Sequence, residues 1–452
     1  MSAEASPPPL MRRVALAVLI GTTIEWFDFL IYGLSAALVF APLFFPSADP
    51  VVGTLLAFST FAVGFGARPI GGMVLGHFGD RIGRKKMLVL SLTIMGVSTF
   101  AIGLLPTYDH IGIWAPILLV LLRLLQGFGV GGEWGGAVLT AVEHATPEKR
   151  GLYGSLPQIG VPAGLLLSTG AFLAVSQLPD EQFLTWGWRL PFLSSIVLVM
   201  VGLIVRLKLT ETPTFERVKR AGTEVKVPLL TALRTYPKQI ILATGSMVST
   251  GGYFYIVNTY AITYGTTTKA FTRSEMLVAV LVSAVVSVVA LPYFGAASER
   301  YGRRRMILIG LAAMAVWIYP TFLAVESGNL LVLVLVYAVG AVFFSVSYGP
   351  QSTFITELFD ARVRMSAAST SFQMGVLLGG ALAPIIATAL VAASGTSMSV
   401  AAYVTVLSTI SFLSVLAVSK SSTERGGADM GHRAAESAEP AAAATDGGGA
   451  RN

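Results

Sequence analysis

Two acidic residues stand one helical turn apart within an apolar stretch near the start of the chain. They belong to a polar stripe with spacings of three, four and three residues: Glu25, Asp28, Tyr32 and Ser35. Ionisable side chains at bilayer depth are costly and by default indicate function. The chemistry that these acids offer is proton binding. The alternative is that they only hold this helix against a neighbour.

A second polar stripe carries positive charge. Arg123, Gln126 and Glu133 share one helical face, at spacings of three and seven residues. Arg123 lies near mid-depth, level with Asp28, so we expect an ion pair that keeps the acid ionised until another group competes for it. Glu133 lies further along and would face the inner half of a cavity. Its alternative role is to partner an arginine at a helix end.

A further embedded charge, Arg68, lies in the middle of the second apolar stretch, just before Pro69. It either binds an anionic substrate or neutralises Glu25, and the sequence leaves both roles open. The first half of the chain therefore embeds acids and bases together, whereas the second half embeds essentially none. We expect proton coupling to be confined to the first half, through Asp28, Arg123, Glu25 and Glu133.

The second half offers aromatic and amide groups instead. Such groups suit a small polar organic molecule, although individually they could equally serve helix–helix packing. Together with polar groups of the first half, they give a predicted substrate-binding set: Arg68, Tyr32, Gln126, Trp134, Gln158, Tyr255, Asn258, Tyr348, Gln351 and Gln373.

The composition places the chain in a membrane. Hydrophobic residues make up 54% of the 452 residues and charged residues only 12%, far less charge than a soluble protein carries. There is no cysteine, and the four histidines are scattered, so disulfides, thiolate catalysis and a metal site are not expected, nor is a cofactor. The net charge of +7 follows from basic loops beside a membrane and does not indicate nucleic acid.

Twelve apolar stretches are long enough to cross a bilayer. They lie near residues 14–40, 53–77, 87–106, 113–139, 153–176, 189–207, 239–262, 276–297, 306–325, 330–356, 366–392 and 399–419. The predicted fold class is an all-α membrane protein whose twelve transmembrane helices form two pseudo-symmetric six-helix bundles. The predicted division is a bundle at 1–207, a charged central loop at 208–238, a second bundle at 239–419 and a disordered tail at 420–452.

Lysine and arginine are concentrated in the short loops on one side of these stretches, which predicts that this side is cytoplasmic. The other side has little beyond Lys269 and Arg273. We therefore expect a multi-pass protein of the plasma (inner) membrane with both termini inside.

One phrase occurs twice, at matching places in the two halves. Residues 76–86, GHFGDRIGRKK, recur at 295–305 as GAASERYGRRR, and residues 143–150, EHATPEKR, match 357–364, ELFDARVR. A polytopic protein built from two related halves is usually a transporter with its site between them.

The repeated loop phrases also suggest a mechanical role, a charge network that latches one conformation and opens in the other. Positive charge that only sets topology would not require the acids or the spacing. The predicted cytoplasmic gate consists of Asp80, Arg81, Arg84, Glu143, Arg150, Glu299, Arg300, Arg303, Glu357 and Arg364.

These motifs resemble the major facilitator superfamily over nearly the whole chain. Residues 25–33 (EWFDFLIYG), 123–136 (RLLQGFGVGGEWGG) and 186–192 (WGWRLPF) are similar to its metabolite:proton symporter family, which includes shikimate, α-ketoglutarate, citrate and proline/betaine permeases. The resemblance implies twelve spans and a rocker-type cycle, with Asp28 and Arg123 at the position of the proton-sensing pair. Glu299 replaces the more usual Asp but keeps the charge.

The leading function is proton-coupled uptake of a small organic acid such as shikimate or a dicarboxylate. The alternative is an importer of proline or glycine betaine, in which Trp26, Trp134 or Tyr253 would supply cation–π contacts. A drug exporter is less favoured, and an enzyme is not expected because no nucleophile–base pair or metal cluster is present. The expected partners are a small organic acid or zwitterion, protons and the lipid bilayer, with no nucleic acid, and the protein is expected to be a monomer.

Overall fold

The computed structural model describes residues 8–82, 84–131, 138, 149–208, 233–268, 270–359 and 363–418. Within these ranges the chain is helical, without a strand. The twelve long helices are α1 (Pro8–Leu38), α2 (Pro50–Ile82), α3 (Arg84–Leu104), α4 (Trp114–Val130), α5 (Arg150–Val175), α6 (Arg189–Lys208), α7 (Pro237–Thr267), α8 (Arg273–Tyr301), α9 (Arg303–Glu326), α10 (Leu330–Thr356), α11 (Arg364–Ser394) and α12 (Met398–Ala417).

These helices correspond to the twelve apolar stretches of the sequence. In the part of the chain that the structure describes, nine are long and apolar enough to cross a membrane, and α6 makes a tenth with the bent segment Asp180–Gly187 before it. The remaining two, α3 and α4, contain shorter apolar helices. Helices are the expected solution, because a segment in lipid must satisfy every backbone polar group within itself.

Local sequence determines where several helices begin and end. At the start of α8, Thr272 and Glu275 form a capping box. At the start of α10, the side chain of Asn329 accepts a hydrogen bond from the backbone of Val332. Gly302, with φ of 87°, separates α8 from α9 at a backbone conformation that favours glycine.

Two helix bundles follow from the packing. In the N-terminal bundle, α1 packs on α5, α2 on α4 and α3 on α6. Glycines allow the close approach of α2 and α4, since a Cβ atom on Gly127 would overlap the carbonyl of Gly64. In the C-terminal bundle, α7 and α9 pack on α12, while α8 and α9 pack on α10. This arrangement confirms the predicted fold class.

The bundles touch along α5 and α8, and contacts between them occur at both ends. At one end, here called the basic end and defined by Arg150, Glu299, Arg303 and Glu357, the backbone N–H of Gly151 donates to Glu299. At the opposite end, Thr263 donates to the carbonyl of Ala37 at 2.9 Å. The two bundles therefore contact each other at both ends.

Two of the long helices leave regular α-geometry near the interface. Residues Ile256–Tyr260 of α7 and Leu377–Ala381 of α11 form π-helical turns. Such turns are frequent at functional sites. The pair Gly251-Gly252 lies one turn before the first of them and packs against Gly379 and Gly380 of α11.

We predict that Gly151→Ala opens the basic end. The added methyl group would overlap the carbonyl of Gly295, so α5 and α8 must separate. Because the chain has no cysteine, a single Thr353→Cys, buried at this end, reports the opening. Its alkylation rate should rise several-fold with Gly151→Ala and stay constant with Gly66→Ala, whose methyl group meets nothing within 4 Å. Equal rates in both variants would show that the closed packing tolerates the methyl group.

Candidate functional site

Arg123 of α4 is fully buried on aromatic surfaces. The carbon of its guanidinium lies 4.0 Å from the ring centroid of Phe29 and 4.1 Å from that of Tyr32. Its NH1 donates to Oε1 of Gln126, and its NH2 lies 3.5 Å from the carbonyl of Phe61. Ring faces and neutral oxygens thus hold this cation.

The expected ion pair between Asp28 and Arg123 is not formed in this structure. Asp28 is fully buried, and neither carboxylate oxygen has a hydrogen-bond partner. The physical reason is Gln126, which lies one turn from Arg123 on the same helix and offers its amide oxygen to the guanidinium. Its Nε2 donates to the backbone carbonyl of Asp28 at 3.0 Å and to Oγ1 of Thr99 at 2.8 Å.

Two predicted substrate-binding residues, Gln126 and Tyr32, are hydrogen-bonded to other groups of the N-terminal bundle. Gln126 uses both ends of its amide, and Tyr32 donates its hydroxyl to Thr60 at 2.8 Å. The stripe in the sequence placed them on the correct faces of α4 and α1. It did not reveal that neighbouring helices supply the partners.

Arg68 of α2 is also surrounded by aromatic rings. The carbon of its guanidinium is 3.9 Å from the ring centroid of Phe29, 4.7 Å from that of Phe65 and 5.5 Å from that of Trp26. Its Nε is buried without a hydrogen-bond partner. Glu25 lies within electrostatic range.

Groups of the C-terminal bundle face Arg68. Tyr255 and Tyr348 lie within its electrostatic range, and the hydroxyl of Tyr255 is buried without a hydrogen-bond partner. The Tyr255 ring packs across the interface against Phe65, with ring centroids 5.5 Å apart. Gln158 of α5 interacts with the Tyr348 hydroxyl. The structure thus brings Arg68, Gln158, Tyr255 and Tyr348 together at the centre of the interface.

The other predicted binding residues of the second half, Gln351, Asn258 and Gln373, differ in whether their side chains have hydrogen-bond partners. Gln351 donates to the carbonyl of Ser246 at 2.6 Å and accepts from Thr250, so it ties α10 to α7. Asn258 accepts from Ser283 at 3.1 Å and so ties α7 to α8. These two residues therefore have packing partners within their own bundle. Gln373 is buried, and its Oε1 has no hydrogen-bond partner.

Several predicted residues lie outside the described part of the chain. The structure does not describe Glu133, Trp134 and Glu143, nor the side chains of Asp80, Arg81 and Arg84. Their predicted roles in binding, proton coupling and the gate stay predictions.

At the basic end, Arg303 bridges two acids. It lies 2.7 Å from Glu299 and 2.8 Å from Glu357, and Glu299 also accepts from the backbone of Gly151 in the other bundle. Arg150 and Arg364 lie within electrostatic range of Glu357. Five predicted gate residues thus come together here.

Arg300, predicted as a gate residue, does not join this cluster. It is exposed, and its guanidinium lies over the ring of Tyr301. It directly follows Glu299 on α8, so its side chain leaves the helix on a different face.

Sequence reasoning missed the aromatic side chains around the two arginines. Phe61, Phe65 and Arg68 are spaced by four and three residues, so they share one face of α2. That spacing was a usable signal, but phenylalanine in an apolar helix is ordinarily assigned to packing. It also missed the ion pair between Arg273 and Asp180, 2.9 Å long, which joins the bundles at the opposite end.

In the described part of the chain, two helical bundles with nine or ten helices able to cross a membrane, and buried polar groups at their interface, define a polytopic membrane transporter. The profile of the Sugar (and other) transporter family matches residues 14–226, and that of the Major Facilitator Superfamily matches residues 266–441. The chain belongs to the major facilitator superfamily, whose members are transporters and not enzymes. It is an integral inner-membrane protein with multiple spans.

Curated relatives cover most of the chain. The inner membrane metabolite transport protein YhjE of Escherichia coli is 44% identical over 85% of this chain and 89% of its own length. The shikimate transporter of the same organism is 41% identical, with 84% and 88% covered, and its proline/betaine transporter is 34% identical, with 89% and 82% covered. The predicted resemblance to these transporters is confirmed.

Solved structures support the fold. A partially occluded inward-open conformation of the xylose transporter XylE from E. coli superposes with a TM-score of 0.69 at 17% identity, covering 90% of this chain and 96% of XylE. A crystal structure of a D-xylose–proton symporter gives a TM-score of 0.70 at 18% identity, with 89% and 96% covered.

We predict that Gln126→Leu destabilises the protein by about 1–3 kcal/mol, because it leaves NH1 of Arg123 buried without its acceptor. Thermal unfolding of the purified protein in detergent measures this loss. The matched control is Gln182→Leu at an exposed position, which should change stability by less than about 0.5 kcal/mol. The role assigned to Gln126 fails if both variants unfold alike.

Burial raises the pKa of Glu357 to about 6, and Glu299 adds to this, while Arg303, Arg150 and Arg364 oppose it. A raised pKa means that the closed basic end binds a proton more tightly than a state in which Glu357 meets water. The closed basic end is therefore stabilised as the pH falls through about 6. The gain reaches about 2 kcal/mol once the pH is below 4.5, the ordinary pKa of a glutamate.

Alkylation of Thr353→Cys should therefore slow between about pH 7 and about pH 5. An exposed Ser327→Cys corrects for ionisation of the thiol itself. Glu357→Gln should remove the pH dependence. If the dependence persists in that variant, another group is responsible for it.

Proposed function

We propose that this protein is a proton-coupled symporter that takes up a small organic acid by alternating access. The observation that carries the proposal is the setting of Arg68. Its guanidinium is fixed on aromatic rings of one bundle, its Nε lacks an acceptor, and Tyr255 and Tyr348 of the other bundle face it. An anion bound there would contact both bundles at once, as alternating access requires.

The available donors suit a carboxylate. The Nε of Arg68 and the hydroxyl of Tyr255 are both buried without hydrogen-bond partners. A buried donor left unsatisfied costs about 1–3 kcal/mol, which a bound acceptor would recover. A carboxylate is an acceptor with two oxygens and pairs well with a guanidinium.

The same geometry disfavours a betaine. A quaternary ammonium binds over the open face of an aromatic ring. The ring of Trp26 already lies near the Arg68 guanidinium, whose charge would repel a second cation. The hydroxyl of Tyr253 lies beside Gly340 within the C-terminal bundle, away from Arg68. Carboxylate transport, with shikimate or a dicarboxylate as examples, is therefore favoured over osmolyte transport.

Asp28 is the proposed proton carrier. A carboxyl group with no donor or cation bonded to it is stable in an apolar interior when it is protonated. After deprotonation, Arg123 is proposed to pair with Asp28. Its guanidinium would have to leave Gln126, whose amide bonds the backbone carbonyl of Asp28. Glu25 and Glu133 are proposed to assist the proton transfer.

The basic end is proposed to face the cytoplasm, in keeping with its arginines. The network of Glu299, Arg303 and Glu357 then closes the cytoplasmic side, and Arg273 with Asp180 closes the outside. Opening one end while the other stays closed would carry the substrate across.

Uptake into proteoliposomes tests the proposal. Labelled shikimate, α-ketoglutarate, citrate, proline and betaine are offered with and without an inward proton gradient. We expect gradient-driven accumulation of one of the acids. Arg68→Gln should weaken its apparent affinity by about 30-fold or more, and Arg68→Lys by less, because the charge is kept.

Asp28→Asn should abolish accumulation but spare exchange of labelled for unlabelled substrate, which requires no net proton movement. Arg234→Gln, at an exposed arginine, is the matched control and should transport normally. Accumulation of betaine or proline alone would contradict the carboxylate assignment. Full accumulation in Asp28→Asn would contradict the proton assignment.

A further inference from the structure

A groove lies on the membrane-facing surface at the basic end, between α9 and α12. Its volume is about 520 Å³, and its walls include Arg304, Arg305, Leu308, Ile309, Ala312 and Phe412. The surrounding surface is apolar and exposed, as Ile309, Val316 and Leu413 show. Such surface is stable only against lipid or another protein.

Three consecutive arginines begin α9 and diverge in their contacts. Arg303 turns inward to Glu299 and Glu357. Arg304 donates to the carbonyl of Leu416 in the last turn of α12 at 2.6 Å, and its Nε has no hydrogen-bond partner. Arg305 is exposed at the same end of the groove. Neither Arg304 nor Arg305 forms an ion pair with a described carboxylate.

The apolar wall continues directly from these charges. Arg305, Leu308, Ile309 and Ala312 share one face of α9, and the stretch from Arg305 to Ala312 spans about 10 Å along the helix. The small side chain of Ala312 lines the groove together with the half-buried ring of Phe412 on α12. The arginines thus lie at one end of an open, apolar groove.

We infer that this groove binds an anionic phospholipid of the leaflet at the basic end. Its phosphate contacts Arg304 and Arg305, and one acyl chain lies along Leu308, Ile309 and Ala312. No described carboxylate neutralises the guanidinium groups of Arg304 and Arg305, which would therefore select a headgroup with net negative charge. Arginines that only set topology need no apolar channel beside them. If a second protein chain filled the groove instead, it would have to place an acid beside these arginines at the edge of the bilayer.

Native mass spectrometry of the full chain tests this inference. The protein is released from micelles that contain equal amounts of phosphatidylglycerol and phosphatidylcholine. We expect one phosphatidylglycerol retained per chain, in preference to phosphatidylcholine. Arg305→Gln removes headgroup charge, Ala312→Phe fills the channel, and each should lower retention by about fivefold or more.

The control variants distinguish a specific lipid site in the groove from non-specific binding to a charged surface. Arg300→Gln removes an exposed arginine outside the groove, and Val289→Phe adds bulk at an exposed position of α8. Both should retain lipid as the unmodified chain does. Thermal unfolding without added lipid verifies that each variant is folded, and Ala312→Leu replaces Ala312→Phe if the larger residue prevents folding.

Three outcomes would overturn the inference. Loss of lipid with Arg305→Gln but not with either Ala312 variant would mean that surface charge alone explains the binding. Equal retention in all variants, or no preference for phosphatidylglycerol, would remove the site. A two-chain mass that disappears in Ala312→Phe would assign the groove to a second copy of the chain.

Discussion

The central constraint on this structure is the burial of two guanidinium groups, that of Arg123 inside the first bundle and that of Arg68 at the interface. Both side chains are almost fully buried, so each cation must be stabilised by what the helices bring to it. Arg68 and Arg123 both lie on ring faces, and one ring is common to them: the carbon of each guanidinium is about 4 Å from the centroid of Phe29. Displacing either cation would therefore disturb the ring contact that stabilises the other. This shared ring gives the proposed substrate site and the proposed proton site a direct physical connection.

Helix α5 connects the centre of the interface with the basic end. Its first turn contacts Glu299 through Gly151, and two turns later Gln158 interacts with Tyr348 beside Arg68. Such contacts require the helices to approach closely, and glycine permits this at the contact of Gly151 with Gly295. A shift of α5 relative to α8 would thus alter the proposed gate and the centre of the interface together. This geometry is what a rocking movement of two rigid bundles needs.

Much of the fold could be predicted from the chain itself. Apolar stretches of the length of a bilayer give the twelve helices, since no other secondary structure satisfies an isolated backbone in lipid. The duplicated phrases gave the two halves, and their charges placed Glu299, Arg303 and Glu357 in one cluster. The spacing of the polar stripes identified Asp28 and Arg123 as embedded charges, and its position in the second apolar stretch identified Arg68; all three are buried.

The tertiary structure decided which polar groups on different helices become hydrogen-bond partners. Spacing along a helix fixes which face a residue occupies, but a hydrogen bond depends on distances of tenths of an ångström between helices. The sequence paired Arg123 with Asp28 across two helices. In the structure Arg123 binds Gln126, one turn away on its own helix, and the carboxyl group of Asp28 has no hydrogen-bond partner. The same holds for Gln351 and Asn258, whose amides join helices within one bundle. The sequence determined which polar groups enter the membrane, and the packing of helices determined which of them are left to meet a substrate.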